Sequence, residues 1–159
     1  MGVSDEQAIR NILYEYGYLI DAGDFAGIGR LFSDATLSFD SVAPGVSGAE
    51  AIQKHYEAST RIYEDTGTPR TKHVFTSFWI EIDDGGENAS SKANYFVLQQ
   101  TEALPLQPII TGHYEHRYAK IDGTWRMTHK KFFVDQIGDL SQHLLFDLAD
   151  AQRNALDGD

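Results

Sequence analysis

The sequence contains no cysteine and only four prolines, and its 13 lysine and arginine residues are outnumbered by 24 aspartate and glutamate residues. The absence of cysteine excludes disulfides, thiolate zinc sites, iron–sulfur ligation and cysteine nucleophiles, and it is compatible with a reducing cytoplasm. No cluster of basic residues interrupts the net charge of −11. Because such a chain repels phosphate groups and anionic lipid surfaces, we expect no nucleic-acid partner and no membrane partner.

Long apolar runs are also missing. No segment approaches the roughly 18 consecutive apolar residues of a membrane-spanning helix, and residues 1–10 lack the basic and apolar regions of a signal peptide. We therefore expect a cytoplasmic protein. A chain of 159 residues, 42% of them hydrophobic, is expected to form a single domain over residues 1–159 that is large enough to hold an internal pocket.

Capping patterns predict two helices at the start of the chain. Ser4 begins an S-x-x-Q capping box and is followed by apolar residues at helical spacing, which predicts a helix over Asp5–Ala22. Gly23 ends this helix, and Asp24 caps a shorter helix that runs through Phe32. The two helices are expected to meet at a tight corner.

The rest of the chain changes from helical to alternating periodicity. Residues 35–39 alternate as a short strand, residues 43–46 are predicted to form a loop, and a second capping box at Ser47–Glu50 begins a third helix. From residue 73 the apolar period is two, which predicts four antiparallel strands. These strands are His73–Ile82, Ala89–Thr101, Ile109–Ile121 and Trp125–Val134. Apolar residues at helical spacing then predict a C-terminal helix over residues 138–157.

Helices followed by a long antiparallel sheet predict an α+β fold, because the helices are available to cover the apolar face of the sheet. A curved sheet wrapped on the N-terminal helices encloses a conical cavity, which is a natural site for a small molecule. The first long strand carries apolar residues on both faces, with Val74, Phe78, Ile80 and Ile82 opposite Phe75 and Trp79. Since two apolar faces need two covers, we predict a homodimer or higher homo-oligomer that forms through the sheet.

Six stretches of the sequence carry a family resemblance: Tyr18–Phe25, Leu31–Ala35, Gly48–Ile52, Thr71–Ser77, Gly112–Tyr114 and Asp122–Met127. Together they resemble the SnoaL-like branch of the NTF2-like superfamily. The similarity covers about residues 5–135, which the resemblance implies to be the core of the domain. It implies an NTF2-like cone, in which a curved antiparallel sheet wraps on N-terminal helices.

The resemblance also implies a pair of catalytic residues. In related lyases of the superfamily, scytalone dehydratase and the hexachlorocyclohexane dehydrochlorinase, a His–Asp pair abstracts a proton from the substrate, and the resemblance places this pair on His73 and Asp21. The dehydrochlorinase-like site adds basic residues for the leaving halide, whereas the matching first-helix stretch here, Tyr14–Tyr18, has no cation. Dehydration, isomerisation or another proton transfer is therefore implied in place of halide elimination.

The residues themselves are compatible with this role. Gly17 lies one helical turn before Asp21 and costs roughly 1 kcal/mol relative to alanine, which indicates that something packs closely there. A His73 ring held by the carboxylate would have one tautomer fixed and its other nitrogen free to accept a proton. Tyrosine hydroxyl groups are candidates for stabilising an enolate or a leaving oxygen. We predict the substrate-binding residues Tyr14, Tyr18, Tyr95, Tyr114, Trp125 and His129.

The sequence supports neither a cofactor nor a metal site. His113 and His116 are three residues apart on a predicted strand and point to opposite faces, and the helical HExxH motif is absent. The G-x-S-x-G, P-loop and GxGxxG motifs are absent as well. We interpret His55 and His143 as packing or surface residues.

Three hypotheses about function remain open. The first is a cofactor-independent lyase or isomerase that acts on a hydrophobic, cyclic or polyketide-like small molecule, with His73 as base and Asp21 as its partner. The second is a non-catalytic NTF2-like protein that binds a small molecule or serves as a dimeric accessory subunit, and the third is a protein-binding module. A histidine at the surface end of a strand and an aspartate that only ends a helix would fit the last two. A contact between the two side chains on the wall of an enclosed cavity would favour the first.

Overall fold

Three helices and six strands alternate along the part of the chain that the computed structural model describes, which comprises residues 2–39, 43–148 and 150–151. The helices are α1 (Asp5–Ala22), α2 (Phe25–Leu31) and α3 (Ala49–Ser59). The strands are β1 (Thr36–Phe39), β2 (Ala43–Ser47), β3 (Thr71–Ile82), β4 (Asn88–Gln99), β5 (Gln107–Ile121) and β6 (Thr124–Ile137). This order confirms the predicted α+β class. No helix in these ranges is long and apolar enough to cross a membrane.

The first two helices begin and end as their capping residues predict. The Ser4 hydroxyl accepts a hydrogen bond from the Gln7 backbone N–H at 3.3 Å, and the Asp24 carboxylate accepts one from the Gly27 N–H at 2.7 Å. Gly23 adopts the left-handed conformation with φ 74°, which lets the chain leave α1 and enter α2 within two residues. The tight corner places the end of α1 beside the sheet.

The sheet is mixed and open, with the strand order β2-β1-β6-β5-β4-β3. β1 pairs with β6 in parallel, and every other neighbouring pair is antiparallel. The predicted loop over residues 43–46 is wrong, because this segment pairs with β1 as strand β2. The predicted capping box of α3 is wrong for the same reason: Ser47 lies in β2, where its hydroxyl bonds to that of Thr36, and Gly48 is the N-cap without a side-chain hydrogen bond.

Of the several register shifts in the sheet, one in β3 and one in β6 are β-bulges that reverse the predicted alternation of side chains. In β3 the register shifts between Thr76 and Trp79, and Ser77 has a positive φ of 55°. Phe75 therefore packs against the core with His73, while Trp79 is 67% exposed on the opposite face. The predicted grouping of Phe75 with Trp79 is wrong because simple alternation does not continue through a bulge.

The second bulge lies in β6, where Arg117 pairs with His129 but the next residue, Tyr118, pairs with Met127. Thr128 is the extra residue, and it reverses the alternation. Trp125 and Met127 are buried as expected, but the next inward side chain is Lys130, which is completely buried. The prediction that His129 and Lys131 share the face of Trp125 and Met127 is therefore wrong.

The prediction of a helix over residues 138–157 is wrong for residues 138–147, which form turns and an isolated bridge between Leu144 and Thr60. We call residues 138–148 the C-terminal segment. Its backbone is tied to other elements: the Gln142 carbonyl accepts hydrogen bonds from Tyr63 and Gln99, and the Leu145 N–H donates to the Ser59 carbonyl. Residues 148, 150 and 151 are helical, and the remainder of the predicted helix lies outside the described residues.

Candidate active site

The Asp21 carboxylate and the His73 imidazole are in direct contact between α1 and β3. The His73 Nδ1 lies 2.7 Å from the Asp21 Oδ1, and the His73 backbone N–H donates to Oδ2 at 3.0 Å. The Thr71 hydroxyl donates to Oδ1 at 2.9 Å. The two side chains are 6% and 11% exposed for His73 and Asp21 respectively, so the pair is largely shielded from solvent.

The end of α1 approaches β3 this closely because Gly17 has no side chain. A Cβ atom at this position would lie 2.7 Å from the Phe75 ring, which identifies Phe75 as the group that packs there. Phe75 and His73 are two residues apart on β3 and point to the same face. The glycine in α1 thus lets the strand bring the His73 ring up to Asp21.

The environment of Asp21 favours a charged carboxylate. Burial alone would raise its pKa, but the hydrogen bonds from the His73 ring and backbone and from the Thr71 hydroxyl, together with the positive charge that the ring carries when it is protonated, outweigh burial and hold the pKa below its ordinary value. An ionised Asp21 accepts the proton on the His73 Nδ1. That arrangement leaves Nε2 as the ring nitrogen that Asp21 does not engage, with a lone pair that can accept a proton.

His73 lies on the wall of a cavity of about 250 Å³ between the helices, the inner face of the sheet and the C-terminal segment. Most of the wall is aromatic or aliphatic. It consists of Tyr16, Ile20, Phe39, His55, Tyr56, Ser59, Thr60, His73, Tyr95, Val97, Ile110, Tyr114, Phe132, Val134, Leu140, His143, Leu144, Phe146 and Leu148. No carboxylate and no lysine or arginine is among these residues, so the cavity favours an uncharged, largely apolar molecule.

Of the six predicted substrate-binding residues, the structure brings two to this cavity. Tyr95 and Tyr114 lie on its wall with their rings stacked at a centroid distance of 4.3 Å. The Tyr95 hydroxyl donates to the Phe133 carbonyl at 3.0 Å. Gly112 makes room for this ring, since a Cβ atom there would lie 2.6 Å from the Tyr95 hydroxyl oxygen.

The other four predicted residues lie away from the cavity. Tyr14 and Tyr18 are exposed, Tyr18 to 81%, because each is two residues from Tyr16 and is therefore turned by about 200° around the helix. Tyr16, which is not among the six predicted residues, lines the cavity instead. The rotation of the residues around α1 therefore decides which of its tyrosines faces the cavity.

Trp125 and His129 lie away from the cavity for different reasons. Trp125 is buried near the start of β6, about 20 Å along the strand from the cavity residue Phe132. His129 is turned away by the bulge at Thr128, and its Nε2 lies 2.7 Å from the Ser38 hydroxyl.

His55 and His143 also line the cavity, contrary to their interpretation as packing or surface residues. The His55 ring stacks against Phe39 at 4.8 Å, and burial lowers its pKa. The ring centroid of His143 lies 6.5 Å from that of His73. No sequence motif marks either histidine; a position beside apolar residues is the single signal that could have identified them.

Lys130 is the least expected residue of the site. Its Nζ lies 3.1 Å from the centroid of the Tyr114 ring, and it is also close to the rings of Tyr16 and Phe132 at 4.8 and 4.6 Å. These three rings line the cavity, so the amine contacts the wall without being part of it. The His116 Nε2 is 3.2 Å away. Burial lowers the pKa of Lys130 well below its ordinary value.

Residues 2–39, 43–148 and 150–151 contain no cluster of three or more histidine, aspartate or glutamate side chains that could hold a metal ion. The site therefore offers a His–Asp pair, aromatic walls and a few hydroxyl groups. Such groups can bind an apolar molecule and move a proton.

Residues 2–131 match the family described as the SnoaL-like domain. The chain belongs to the SnoaL-like family. This match confirms the resemblance that the sequence motifs indicate and, with the sheet described above, the NTF2-like cone. No curated protein sequence matches the chain at a significant level.

Solved structures of similar fold agree with the family. A proposed scytalone dehydratase from Novosphingobium aromaticivorans is 22% identical, with a TM-score of 0.65 over 85% of this chain and 87% of that one. LinA is 14% identical with a TM-score of 0.65, over 86% and 89% of the two chains. ActVI-ORFA from Streptomyces coelicolor is 13% identical with a TM-score of 0.66, over 82% and 96%. At these identities the likeness shows the fold.

Proposed function

We propose that this SnoaL-like protein is a cofactor-independent lyase or isomerase that removes a proton from a hydrophobic, cyclic or polyketide-like small molecule. His73 is the base and Asp21 is its partner. The observation that carries the proposal is the 2.7 Å contact between the two side chains on the wall of an aromatic cavity. The names of the similar proteins, a scytalone dehydratase among them, support the same reaction class.

The reaction begins with the neutral His73 ring protonated on Nδ1. Its Nε2 accepts a proton from a carbon next to a carbonyl group, and the electron pair of the broken C–H bond moves into an enolate. The imidazolium that forms is stabilised by the ionised Asp21 beside it. A positioned base of this kind contributes roughly 10²–10⁴-fold to a rate.

The same imidazolium completes either reaction. In a dehydration it returns the proton to a departing hydroxyl group, so that water leaves and a double bond forms. In an isomerisation it returns the proton to a different carbon of the enolate. Both outcomes regenerate neutral His73, and neither changes the oxidation state of the substrate as a whole.

The cavity wall supports the choice of an apolar, uncharged substrate. A charged group would lose its hydration on entering and would meet no charged side chain among the described residues of the wall. The tyrosine rings of Tyr16, Tyr95 and Tyr114 offer flat surfaces against which a cyclic molecule can stack.

The test follows exchange of the protons next to the carbonyl group of α-indanone and α-tetralone in heavy water by proton NMR. The wild-type protein is expected to accelerate this exchange, and His73→Ala is expected to reduce the acceleration by roughly 10²–10⁴-fold. His113→Ala is the matched control, because His113 also contacts an aspartate, Asp135, but lies on the exposed outer face. If both ketones bind but exchange at equal rates with wild type and His73→Ala, proton transfer is refuted and the non-catalytic binding protein is the remaining hypothesis.

A further inference from the structure

His143 is held in the cavity by its own backbone. Its N–H donates to the Leu140 carbonyl at 3.0 Å, and its carbonyl accepts from the Arg61 N–H at 2.8 Å. The first bond closes a turn within the C-terminal segment, and the second fixes the segment against the chain that follows α3. The ring is thereby placed opposite His73, at a centroid distance of 6.5 Å.

One nitrogen of the His143 imidazole is buried without a partner among the described residues. The residue is 7% exposed, and its Nδ1 has neither accessible surface nor a hydrogen-bond partner in those ranges. A molecule in the cavity therefore does not reach Nδ1. Because a buried N–H without an acceptor is costly, the proton of a neutral ring belongs on Nε2. Since the ring lines the cavity, a bound molecule is in a position to accept a hydrogen bond from the Nε2–H.

Burial and the neighbouring His73 lower the pKa of His143 to about 4. The ring is therefore neutral at pH 7 and carries one N–H donor. A neutral imidazole can stabilise a developing negative charge by donating a hydrogen bond without giving up its proton.

The tyrosine hydroxyl groups of the cavity are already engaged with the protein. The Tyr95 hydroxyl donates to the Phe133 carbonyl, and the Tyr56 hydroxyl donates to that of Tyr16 at 3.3 Å. The Tyr16 and Tyr114 hydroxyl groups interact with each other. Among these groups, the His143 Nε2–H is the donor that has no hydrogen-bond partner among the described residues.

The separation of the two histidine rings suits one bound molecule. A ring nitrogen reaches a partner atom about 2.6–3.2 Å away. Two rings with centroids 6.5 Å apart can therefore contact neighbouring atoms of the same molecule, such as a carbon and the oxygen of an adjacent carbonyl group.

We infer that His143 is a second catalytic residue, which donates a hydrogen bond to the carbonyl oxygen of the substrate while His73 removes the proton from the adjacent carbon. The inference rests on the proposed function and narrows it. The C–H bond breaks toward His73, the electron pair moves onto the oxygen, and the His143 N–H stabilises that oxygen and keeps its own proton. The substrate class is thus an uncharged cyclic ketone or similar carbonyl compound with a removable adjacent proton.

The first test uses β-naphthol, a flat two-ring molecule whose hydroxyl oxygen resembles an enolate oxygen. Binding is measured by isothermal titration calorimetry for wild type, His143→Phe and the control His113→Phe. We expect His143→Phe to weaken binding at least tenfold and the control to bind as wild type does. Because phenylalanine also removes the unpartnered Nδ1, the melting temperature of His143→Phe is expected to equal or exceed that of wild type, which a purely structural role would not produce.

The second test measures proton exchange of the ketones with the same variants. His143→Phe, which loses one oxyanion donor, is expected to lower the exchange rate roughly 10²–10³-fold. Failure of wild type to bind β-naphthol, or equal affinity in His143→Phe, overturns the inference. The two proposals fail separately. If His143→Phe binds β-naphthol and exchanges ketone protons as wild type does while His73→Ala is inactive in exchange, the role of His143 alone is overturned. If β-naphthol binding depends on His143 but exchange does not depend on His73, proton transfer is overturned.

Discussion

The substitution Asp21→Asn should reverse the proton arrangement of His73, because one of the two carboxylate oxygens becomes an NH₂ group beside groups that now donate to it. The His73 backbone N–H lies 3.0 Å from Oδ2 and 3.2 Å from Oδ1, while the Thr71 hydroxyl and the His73 Nδ1 meet at Oδ1. We expect asparagine to keep its oxygen at the Oδ2 position, because an NH₂ group there would face at the shorter distance a backbone N–H that cannot accept, whereas at Oδ1 it faces an imidazole nitrogen and a hydroxyl group that can. The NH₂ group then occupies the Oδ1 position and donates to the His73 Nδ1.

The consequence is a base with its lone pair on the wrong nitrogen. When Nδ1 accepts a hydrogen bond from asparagine, the proton of the neutral His73 ring resides on Nε2, which can no longer accept a proton from a substrate. The expected loss is the whole contribution of the base, roughly 10²–10⁴-fold. At about 1.4 kcal/mol per factor of ten, this raises the activation barrier by about 3–5 kcal/mol.

Two assays check this reasoning, and the first needs no substrate. Nitrogen NMR of the histidine side chains reports which ring nitrogen carries the proton, and we expect Nδ1 in wild type and Nε2 in Asp21→Asn. The second assay is ketone exchange with Asp135→Asn as the matched control, since Asp135 contacts His113 on the outer face. Retention of the Nδ1 proton in Asp21→Asn together with wild-type exchange would refute the argument.

Two further predictions concern stability. Burial lowers the pKa of Lys130 in the folded protein. Between that lowered pKa and the unfolded value of about 10.4, the unfolded chain therefore binds more protons than the folded one. Over this range the free energy of unfolding rises with pH, by up to about 1.4 kcal/mol per pH unit. Urea unfolding from pH 6 to 10 should show this slope in wild type and a flatter profile in Lys130→Met; equal slopes would contradict it. Gly29→Ala should lower the free energy of unfolding by about 1–3 kcal/mol, because an added Cβ overlaps the backbone carbonyl of Ala49 in α3. Gly85→Ala, in the open β3–β4 turn, is the matched control. Equal losses of unfolding free energy in the two variants would contradict a role for the α2–α3 contact.

The parts of the fold that depend on local chemistry were predictable from the sequence. The caps at Ser4 and Asp24 and the glycine at position 23 define α1 and α2, because capping hydrogen bonds involve residues only three positions apart. The contact between Asp21 and His73 was predicted from family resemblance, since the two residues are distant in sequence. Gly17 gave independent support, but it did not identify Phe75 as its neighbour.

The parts that depend on tertiary packing were not predictable. A bulge adds one residue to a strand without changing its composition, so nothing in the sequence around Ser77 or Thr128 marks the reversal of alternation. The wrong prediction of a helix in the C-terminal segment has a related cause. Leu140, Leu144 and Leu148 recur at helical spacing, yet all three line the cavity from a segment that is mostly turns. Periodicity indicates which residues are apolar together, and it does not show what they cover.

The bulge at Thr128 links the fold to the chemistry of the site. If β6 continued its alternation past Met127, Lys131 and Phe133 would point inward, and Phe132 and Val134 would be lost from the cavity wall. The bulge instead directs Phe132 and Val134 inward at the cost of burying Lys130 against three aromatic rings. Because burial favours the neutral amine, the buried nitrogen adds little charge to the cavity. The Asp21 carboxylate is likewise outside the cavity lining, behind the His73 ring, so the described part of the wall that a substrate meets is neutral.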